Sequence, residues 1–140
     1  MSRSLPERSA TILIVDDEPE TRALFRLMLR PQASWRILEA DTGQQAIAIA
    51  QVERPDVILL DAMMPDLTGF EICARLRELP HLRTSKIAML TVLHNQSARD
   101  AAIAAGADEF WTKPIDPYTL RSGVARLLSS DTPTADASRS

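Results

Sequence analysis

The sequence has 140 residues, 45% of them hydrophobic, and a formal net charge of −3, which fits one globular domain with its own core. It contains no lysine or arginine run, so neither a nucleic-acid-binding surface nor insertion into a membrane is indicated. The longest aliphatic stretches, such as 57–60, are too short to span a bilayer, and the first residues lack the apolar part of a secretory signal. The single cysteine, Cys73, excludes an internal disulfide and a multi-cysteine metal site. We therefore expect a cytoplasmic protein of one domain.

Strand patterns and helix patterns alternate five times between two unpatterned ends. Residues 1–10 and 130–140 are small and polar, so we expect disordered tails on either side of a domain at 11–129. Continuous aliphatic runs are typical of strands that are buried on both faces of a sheet. In chain order, the predicted strands are residues 12–15, 35–40, 57–60, 87–90 and 110–112. The helices that follow them are residues 19–30, 42–53, 70–79 and 95–105, and a last helix from residue 117.

The spacing of apolar residues predicts which side chains face the core. In the first helix, Leu24, Leu27 and Met28 share one face opposite three arginines, so we expect this face to lie on the sheet. Trp111 points to the opposite face of the last strand from its neighbour in sequence and is also expected in the core. Gly123 is expected to weaken the last helix, because glycine costs conformational entropy there.

Five strand and helix units with short connections predict an α/β fold, namely a doubly wound, flavodoxin-like parallel sheet of five strands covered by five helices. We expect the strand order 2-1-3-4-5. In such a sheet the functional crevice lies beyond the carboxyl ends of the strands, where the strand order reverses. Here that point falls between the first and third strands.

Polar residues stand at the carboxyl ends of four predicted strands. They are Asp16 and Asp17 after the first strand, Asp61 after the third, Thr91 after the fourth and Lys113 after the fifth. Clustered carboxylates raise one another's pKa unless a cation compensates. Oxygen ligands with room for water and phosphate suit Mg²⁺ or Mn²⁺ better than zinc. The pattern therefore predicts a divalent-metal and phosphoryl site.

Each of these residues also has an ordinary structural explanation. Asp17 followed by Glu20 resembles a capping arrangement at a helix start. Lys113 alone would be a surface lysine, and Thr91 alone a strand residue. The functional interpretation is favoured because acidic, hydroxyl and ammonium groups end different strands that meet at one edge.

Several short fragments accompany these residues in a fixed order. They are Ile14-Val15-Asp16-Asp17-Glu18-Pro19, Leu60-Asp61-Ala62-Met63-Met64-Pro65 with Gly69, Leu90-Thr91, Gly106-Ala107-Asp108, and Phe110 with Lys113-Pro114. Together they resemble the receiver domain of two-component response regulators, of the chemotaxis-receiver type. The resemblance covers nearly all of residues 11–129, and the joint order of the fragments is highly specific although each fragment alone is weak.

The resemblance implies a metal site and a site of phosphorylation. Asp61 would be the phosphoacceptor. Asp16 and Asp17 would hold Mg²⁺ together with Asp61 and the backbone carbonyl of Met63. The receiver would be a substrate that catalyses its own phosphorylation and dephosphorylation, and not an enzyme that turns over small molecules.

The resemblance also implies a conformational switch. Thr91 and Lys113 would bind the phosphoryl oxygens, and Phe110 would take the place of the switch aromatic. After phosphorylation Thr91 would turn toward the new acceptors and Phe110 would fill the vacated space. Phenylalanine lacks the hydroxyl of the tyrosine often found there, so packing alone would distinguish the two states.

Partners follow from the same resemblance. The phosphodonor would be a phosphohistidine on a sensor histidine kinase or a phosphotransfer protein. A downstream protein would bind the surface formed by the fourth helix, fifth strand and fifth helix. The domain would act in a phosphorelay or in partner binding, as a monomer or as a dimer formed on phosphorylation.

Three residues around the site depart from the common family pattern. Val92 stands where the family usually has a small residue, and its branched side chain would narrow phosphoryl access. Leu93 and Met63 flank the expected path of an attacking water, and neither side chain can orient that water by hydrogen bonding. The sequence therefore predicts a slowly hydrolysing phosphoaspartate.

Two other classes of protein share part of this pattern. An aspartate-nucleophile phosphatase or phosphotransferase of the haloacid dehalogenase type generally needs a second aspartate two residues after the nucleophile, where this sequence has Met63. A flavin-binding module of the same topology would need a phosphate-binding loop rich in serine, threonine and glycine after the first strand. The carboxylates of Asp16, Asp17 and Glu18 would repel a phosphate there in the absence of a metal.

Overall fold

The structure, a computed structural model, describes residues 10–31, 34–93 and 95–129. The five strands are β1 (Ala10–Val15), β2 (Trp35–Ala40), β3 (Val57–Asp61), β4 (Lys86–Thr91) and β5 (Glu109–Thr112). The helices are α1 (Pro19–Leu29), α2 (Gly43–Glu53), α3 (Gly69–Arg77), α4 (Gln96–Ala105) and α5 (Pro117–Ser129), with a short 3-10 helix at Pro80–Leu82. None of the described helices is long and apolar enough to cross a membrane.

The predicted tails lie outside the described residues, except for Ala10, which is the first residue of β1. The disorder of these tails and the domain limits at 11–129 therefore stay predictions.

The sheet confirms the predicted topology. Its five strands are parallel and lie in the order β2-β1-β3-β4-β5. In register, Val15 lies between Ala40 of β2 and Leu60 of β3. Because these strands end level with one another, the residues that follow β1 and β3 face the same crevice at the point where the strand order reverses.

Two hydrophobic cores cover the two faces of the sheet. Along β1, Leu13 and Val15 belong to the core shared with α2, α3 and α4, whereas Ile12 and Ile14 belong to the core shared with α1 and α5. This alternation follows from the period of two along a strand. All four side chains are at most 1% exposed, which explains why the strand reads as a continuous aliphatic run.

The predicted core face of α1 was wrong at Leu24 and Leu27, whereas Met28 packs against the core as predicted. Leu24 and Leu27 are 48% and 57% exposed, whereas Phe25 and Leu29 are buried. The sequence offers two overlapping apolar stripes on this helix, and the packing of α5 alongside α1 decides between them. Arg121 of α5 donates from Nη1 to the Met28 carbonyl at 3.0 Å, which helps fix the rotation of α1.

Trp111 packs against the α1/α5 core, as predicted, and explains Gly123. A Cβ on Gly123 would lie 2.6 Å from the Trp111 ring, so α5 can approach β5 only because position 123 has no side chain. The indole nitrogen Nε1 of Trp111 donates to Glu109 Oε1 at 2.7 Å. The helical cost of glycine is therefore offset by aromatic packing.

Candidate functional site

The structure brings the predicted carboxylates and the lysine together at the carboxyl edge of the sheet. Asp16, Asp17 and Asp61 each offer an oxygen that lies within 4.8 Å of the others. Lys113 Nζ lies 3.1 Å from Asp16 Oδ2 and 3.3 Å from Asp61 Oδ2. Asp16 and Asp61 are buried and Asp17 is exposed, so the cluster is open to solvent on the Asp17 side.

Asp16 is held through each of its polar groups. Its backbone N–H donates to the Ala40 carbonyl at 3.1 Å, and its own carbonyl accepts from Arg22 Nη1 at 2.8 Å. Its carboxylate accepts from the Glu18 N–H at 2.9 Å and from Lys113 Nζ. The residue is therefore tied to α1, β2 and the end of β5.

Asp17 does not cap a helix. The N-cap of α1 is Glu18, whose side chain makes no capping hydrogen bond. The suggested capping arrangement of Asp17 with Glu20 is therefore absent, and the ordinary structural explanation for Asp17 falls away.

The loop after Asp61 is held close to the start of α3. Asp61 Oδ1 accepts from the Met63 N–H at 3.0 Å, and the Gly69 N–H donates to the Ala62 carbonyl at 2.9 Å. A Cβ on Gly69 would lie 2.5 Å from the Asp61 carbonyl oxygen. Glycine at position 69 is thus required by the close approach of α3 to the backbone of Asp61.

Two contacts that support this loop were missed in the sequence. Asp66 accepts from the N–H groups of Gly43 and Gln44 at 2.8 and 3.1 Å, so it joins the loop to the start of α2. Thr68 and Glu71 form a reciprocal capping box at the start of α3. The Thr-x-x-Glu spacing was a signal for the box, whereas the partner of Asp66 lies 23 residues away and had no local signal.

Burial and neighbouring charges shift two titrations at the site. Burial raises the pKa of Asp61 above its ordinary value, and the nearby Asp16 carboxylate adds to the rise, while the Met63 N–H and the Lys113 ammonium oppose it. Burial lowers the pKa of Lys113, but attraction to Asp61 and Asp16 outweighs it and the pKa is raised. Lys113 therefore stays charged beside carboxylates that a further cation would stabilise.

Thr91 and Phe110 are both buried, but the sheet does not pair them. Thr91 Oγ1 accepts from the Leu93 N–H at 3.1 Å, which fixes its hydroxyl at the end of β4. The register places Phe110 opposite Met89, two residues before Thr91. The Arg99 guanidinium of α4 lies 5.2 Å from the centre of the Phe110 ring, a cation–π contact that the sequence did not indicate.

An open groove of about 630 Å³ runs from the acidic cluster along α1. Its polar lining includes Asp17, Asp61 and Lys113. Its apolar lining includes Met63 and Val92, which are 63% and 60% exposed. Val92 and Asp61 both line the groove, and the narrowing of phosphoryl access by the branched side chain of Val92 stays a prediction.

The donor set fits a hard divalent cation. Three carboxylates with converging oxygens and no cysteine or histidine in the cluster match the ligand preference of Mg²⁺. The exposed side at Asp17 leaves room for water and for phosphate oxygens. Zinc, which prefers nitrogen and sulfur ligands, fits this set less well.

Comparisons with known proteins agree with this geometry. A family model described as the response regulator receiver domain matches residues 12–125. An uncharacterized 14.6 kDa protein from Leptolyngbya boryana is 37% identical over 109 residues, which cover 78% of this chain and 82% of that protein. The probable transcriptional regulatory protein TcrX of Mycobacterium tuberculosis is 38% identical over 118 residues, which cover 84% of this chain. The chain spans 47% of the length of TcrX, about half.

A solved structure is also similar. The chemotaxis protein CheY4 of Vibrio cholerae matches with a TM-score of 0.81 and 33% sequence identity, over 86% of this chain and 99% of that one.

Proposed function

Because the chain belongs to the response regulator receiver domain family, we propose that Asp61 accepts a phosphoryl group in the presence of Mg²⁺. The single observation that carries this proposal is the convergence of Asp16, Asp17, Asp61 and Lys113 at the end of the sheet. Receiver domains of this family are phosphorylated on an aspartate and act in two-component signalling. The assignment of that role to Asp61 is ours.

In this proposal the acidic residues bind the cation and Lys113 neutralises further negative charge. Asp16, Asp17, Asp61 and the backbone carbonyl of Met63 would hold Mg²⁺, or Mn²⁺ in its place. The bound cation supplies positive charge that reduces repulsion between the attacking carboxylate and the phosphoryl oxygens. Lys113, already 3.3 Å from Asp61 Oδ2, neutralises a further share of that charge.

The phosphoryl group is transferred from a histidine nitrogen to a carboxylate oxygen. A carboxylate oxygen of Asp61 forms a bond to phosphorus while the bond from phosphorus to a histidine nitrogen of the donor breaks. The electron pair of that bond stays on the imidazole. The donor is a sensor histidine kinase or a phosphotransfer protein. A cytoplasmic location is part of the proposal, because such kinases use the ATP of the cytoplasm.

The output of the domain is a change of packing. Thr91 binds a phosphoryl oxygen through its hydroxyl, which breaks the hydrogen bond to the Leu93 N–H. Phe110 then moves toward the space that Thr91 leaves, and this alters the α4-β5-α5 surface. Ile103 of α4 and Tyr118 of α5 are 52% and 73% exposed, and they offer apolar contacts to a downstream protein or to a second copy.

The test is phosphorylation by a small phosphodonor such as acetyl phosphate, measured by intact mass. We expect one phosphoryl group on the wild type, none on Asp61→Asn, and wild-type behaviour of Asp100→Asn, the same change at an exposed aspartate of α4. Omission of Mg²⁺ should abolish the reaction. Phosphorylation of Asp61→Asn at the wild-type rate would contradict the proposal.

The haloacid dehalogenase alternative is disfavoured by the family match and by Met63 at the position of the required second aspartate. The phosphatase hypothesis predicts the opposite result for the accumulation of phosphoprotein. Such an enzyme would hydrolyse a small phosphomonoester through many cycles without accumulating phosphoprotein. Absence of phosphomonoester turnover, together with a stable phosphoprotein, separates the receiver from the phosphatase.

A further inference from the structure

We propose that Arg22 is a positioning residue for the acidic cluster and that it sets the affinity of the cluster for a divalent cation. This inference rests on the proposed function, since it requires Mg²⁺ to bind at Asp16, Asp17 and Asp61. Arg22 itself lies on α1, and no role for it follows from the sequence motifs.

The contacts of Arg22 join the acidic cluster to the neighbouring strand. Its Nη1 donates to the Asp16 carbonyl at 2.8 Å, and its Nε donates to Glu39 Oε1 at 2.9 Å. The side chain is 16% exposed. A half-buried guanidinium that makes two hydrogen bonds in different directions is fixed in orientation, because its planar fork cannot satisfy both partners otherwise.

The far end of this bridge is also fixed. Arg26, one turn later on α1, donates from Nε to Glu39 Oε2 at 2.7 Å. Glu39 precedes Ala40, whose carbonyl accepts from the Asp16 N–H at 3.1 Å. The backbone of Asp16 is therefore held to β2 at both ends, directly through its N–H and through Arg22 and Glu39 at its carbonyl.

The carbonyl of Asp16 belongs to the peptide group that leads to Asp17. Within the described ranges, no hydrogen bond or ion pair holds the Asp17 carboxylate, which is exposed. The direction of that carboxylate thus depends on the orientation of the peptide group before it. By fixing this group, Arg22 keeps Asp17 aimed at the oxygens of Asp16 and Asp61 without touching a cation.

Charge and positioning predict opposite effects when Arg22 is replaced. Removal of a positive charge near three carboxylates would tighten cation binding by Coulomb attraction alone. Loss of the bridge would instead loosen the Asp16–Asp17 corner and weaken binding. The sign of the change in affinity therefore separates the two explanations.

The experiment is titration of Mg²⁺ into the full chain by calorimetry, for the wild type, Arg22→Gln and Arg26→Gln. Arg26→Gln is the matched control, because it removes the same charge and a Glu39 contact from the same helix but leaves the Asp16 carbonyl bonded. Loss of a residue that orients metal ligands commonly costs about 10–100-fold in affinity, so we expect at least a roughly tenfold rise of the Mg²⁺ dissociation constant in Arg22→Gln. In Arg26→Gln we expect a clearly smaller rise, because Arg22 still bonds both Glu39 and the Asp16 carbonyl. Urea unfolding without Mg²⁺ should show both variants folded and similarly destabilised.

Tighter or unchanged Mg²⁺ binding by Arg22→Gln would overturn the inference, and so would equal weakening in both variants. If Arg22→Gln does not fold, Arg22→Lys replaces it, because lysine keeps the positive charge but cannot donate in both directions. Weaker binding is expected, and unchanged binding would count against the inference. Failure of the wild type to bind Mg²⁺ at all would instead remove the proposed function. The two failures are therefore distinguishable.

Discussion

Arg77 should be among the most sensitive residues outside the acidic cluster. It lies at the end of α3, where its Nε donates to the Gly106 carbonyl at 2.8 Å and its Nη1 donates to the carbonyls of Leu82 and Ser85 at 3.1 and 2.7 Å. Its Nη2 pairs with Asp108 Oδ2 at 2.7 Å. One side chain thus joins α3, the loop before β4 and the loop before β5.

The expected cost of Arg77→Ala follows from these contacts. The side chains of Arg77 and Asp108 are 20% and 10% exposed, so water can only partly replace Arg77 at the acceptors that lose their donor. Breaking a buried ion pair by removing one partner costs about 3–5 kcal/mol. Asp108 keeps the hydrogen bond from the Ile87 N–H, and this places the expected loss of unfolding free energy near the lower end, about 3 kcal/mol.

Urea unfolding followed by circular dichroism measures this loss. With a slope of about 1–3 kcal/mol per molar urea, a loss of about 3 kcal/mol lowers the midpoint by roughly 1–3 M. Arg75→Ala is the matched control, since Arg75 is exposed on the same helix, and it should cost less than about 0.5 kcal/mol. Arg77→Lys should recover only part of the loss, because an ammonium cannot reproduce the planar fork. Equal midpoints for Arg77→Ala and Arg75→Ala would refute the reasoning.

Three further predictions concern the lifetime of the phosphoryl group, thiol reactivity and acid stability. Leu93 is 38% exposed and follows Val92, which lines the groove, and its side chain cannot orient water. We therefore expect Leu93→Glu to shorten the lifetime of the phosphoprotein measured by intact mass, and an unchanged lifetime would count against slow hydrolysis in the wild type. Burial raises the pKa of the Cys73 thiol to about 11, so a thiol reagent at neutral pH should label Cys73 only after unfolding, and rapid labelling of the native protein would contradict the packing. The Arg26 guanidinium holds the pKa of Glu39 below its ordinary value. The stability that Glu39 contributes is then fully present above about pH 4.3 and is lost as the pH falls through the lower pKa of the folded state. The free energy of unfolding of the wild type in urea should therefore exceed that of Glu39→Gln by less at acidic pH than at neutral pH. A difference that grows in acid would refute this.

The sequence was most informative where a local pattern has one structural solution. The aliphatic run of β1 required a strand covered on both faces, and both cores now lie against it. The rotation of α1 was not predictable in the same way, because Leu24 and Phe25 both belong to apolar stripes at helical spacing. Packing against α5 buried Phe25 and left Leu24 in solvent.

The residues that support the site were harder to find than the residues that form it. Arg22, Asp66 and Arg77 read as ordinary surface charges, and their partners lie 17, 23 and 31 residues away at Glu39, Gly43 and Asp108. No spacing rule connects residues so far apart.

The sequence alone determined the alternation of strands and helices, the ends of the strands and the identity of the polar residues there, because each depends on where short buried runs end. Only the tertiary structure decided how Asp16 is held, since this depends on Arg22, which donates to the Asp16 carbonyl and to Glu39 of β2. Such bridges are set by the distance and direction between elements after packing, and a linear pattern contains neither.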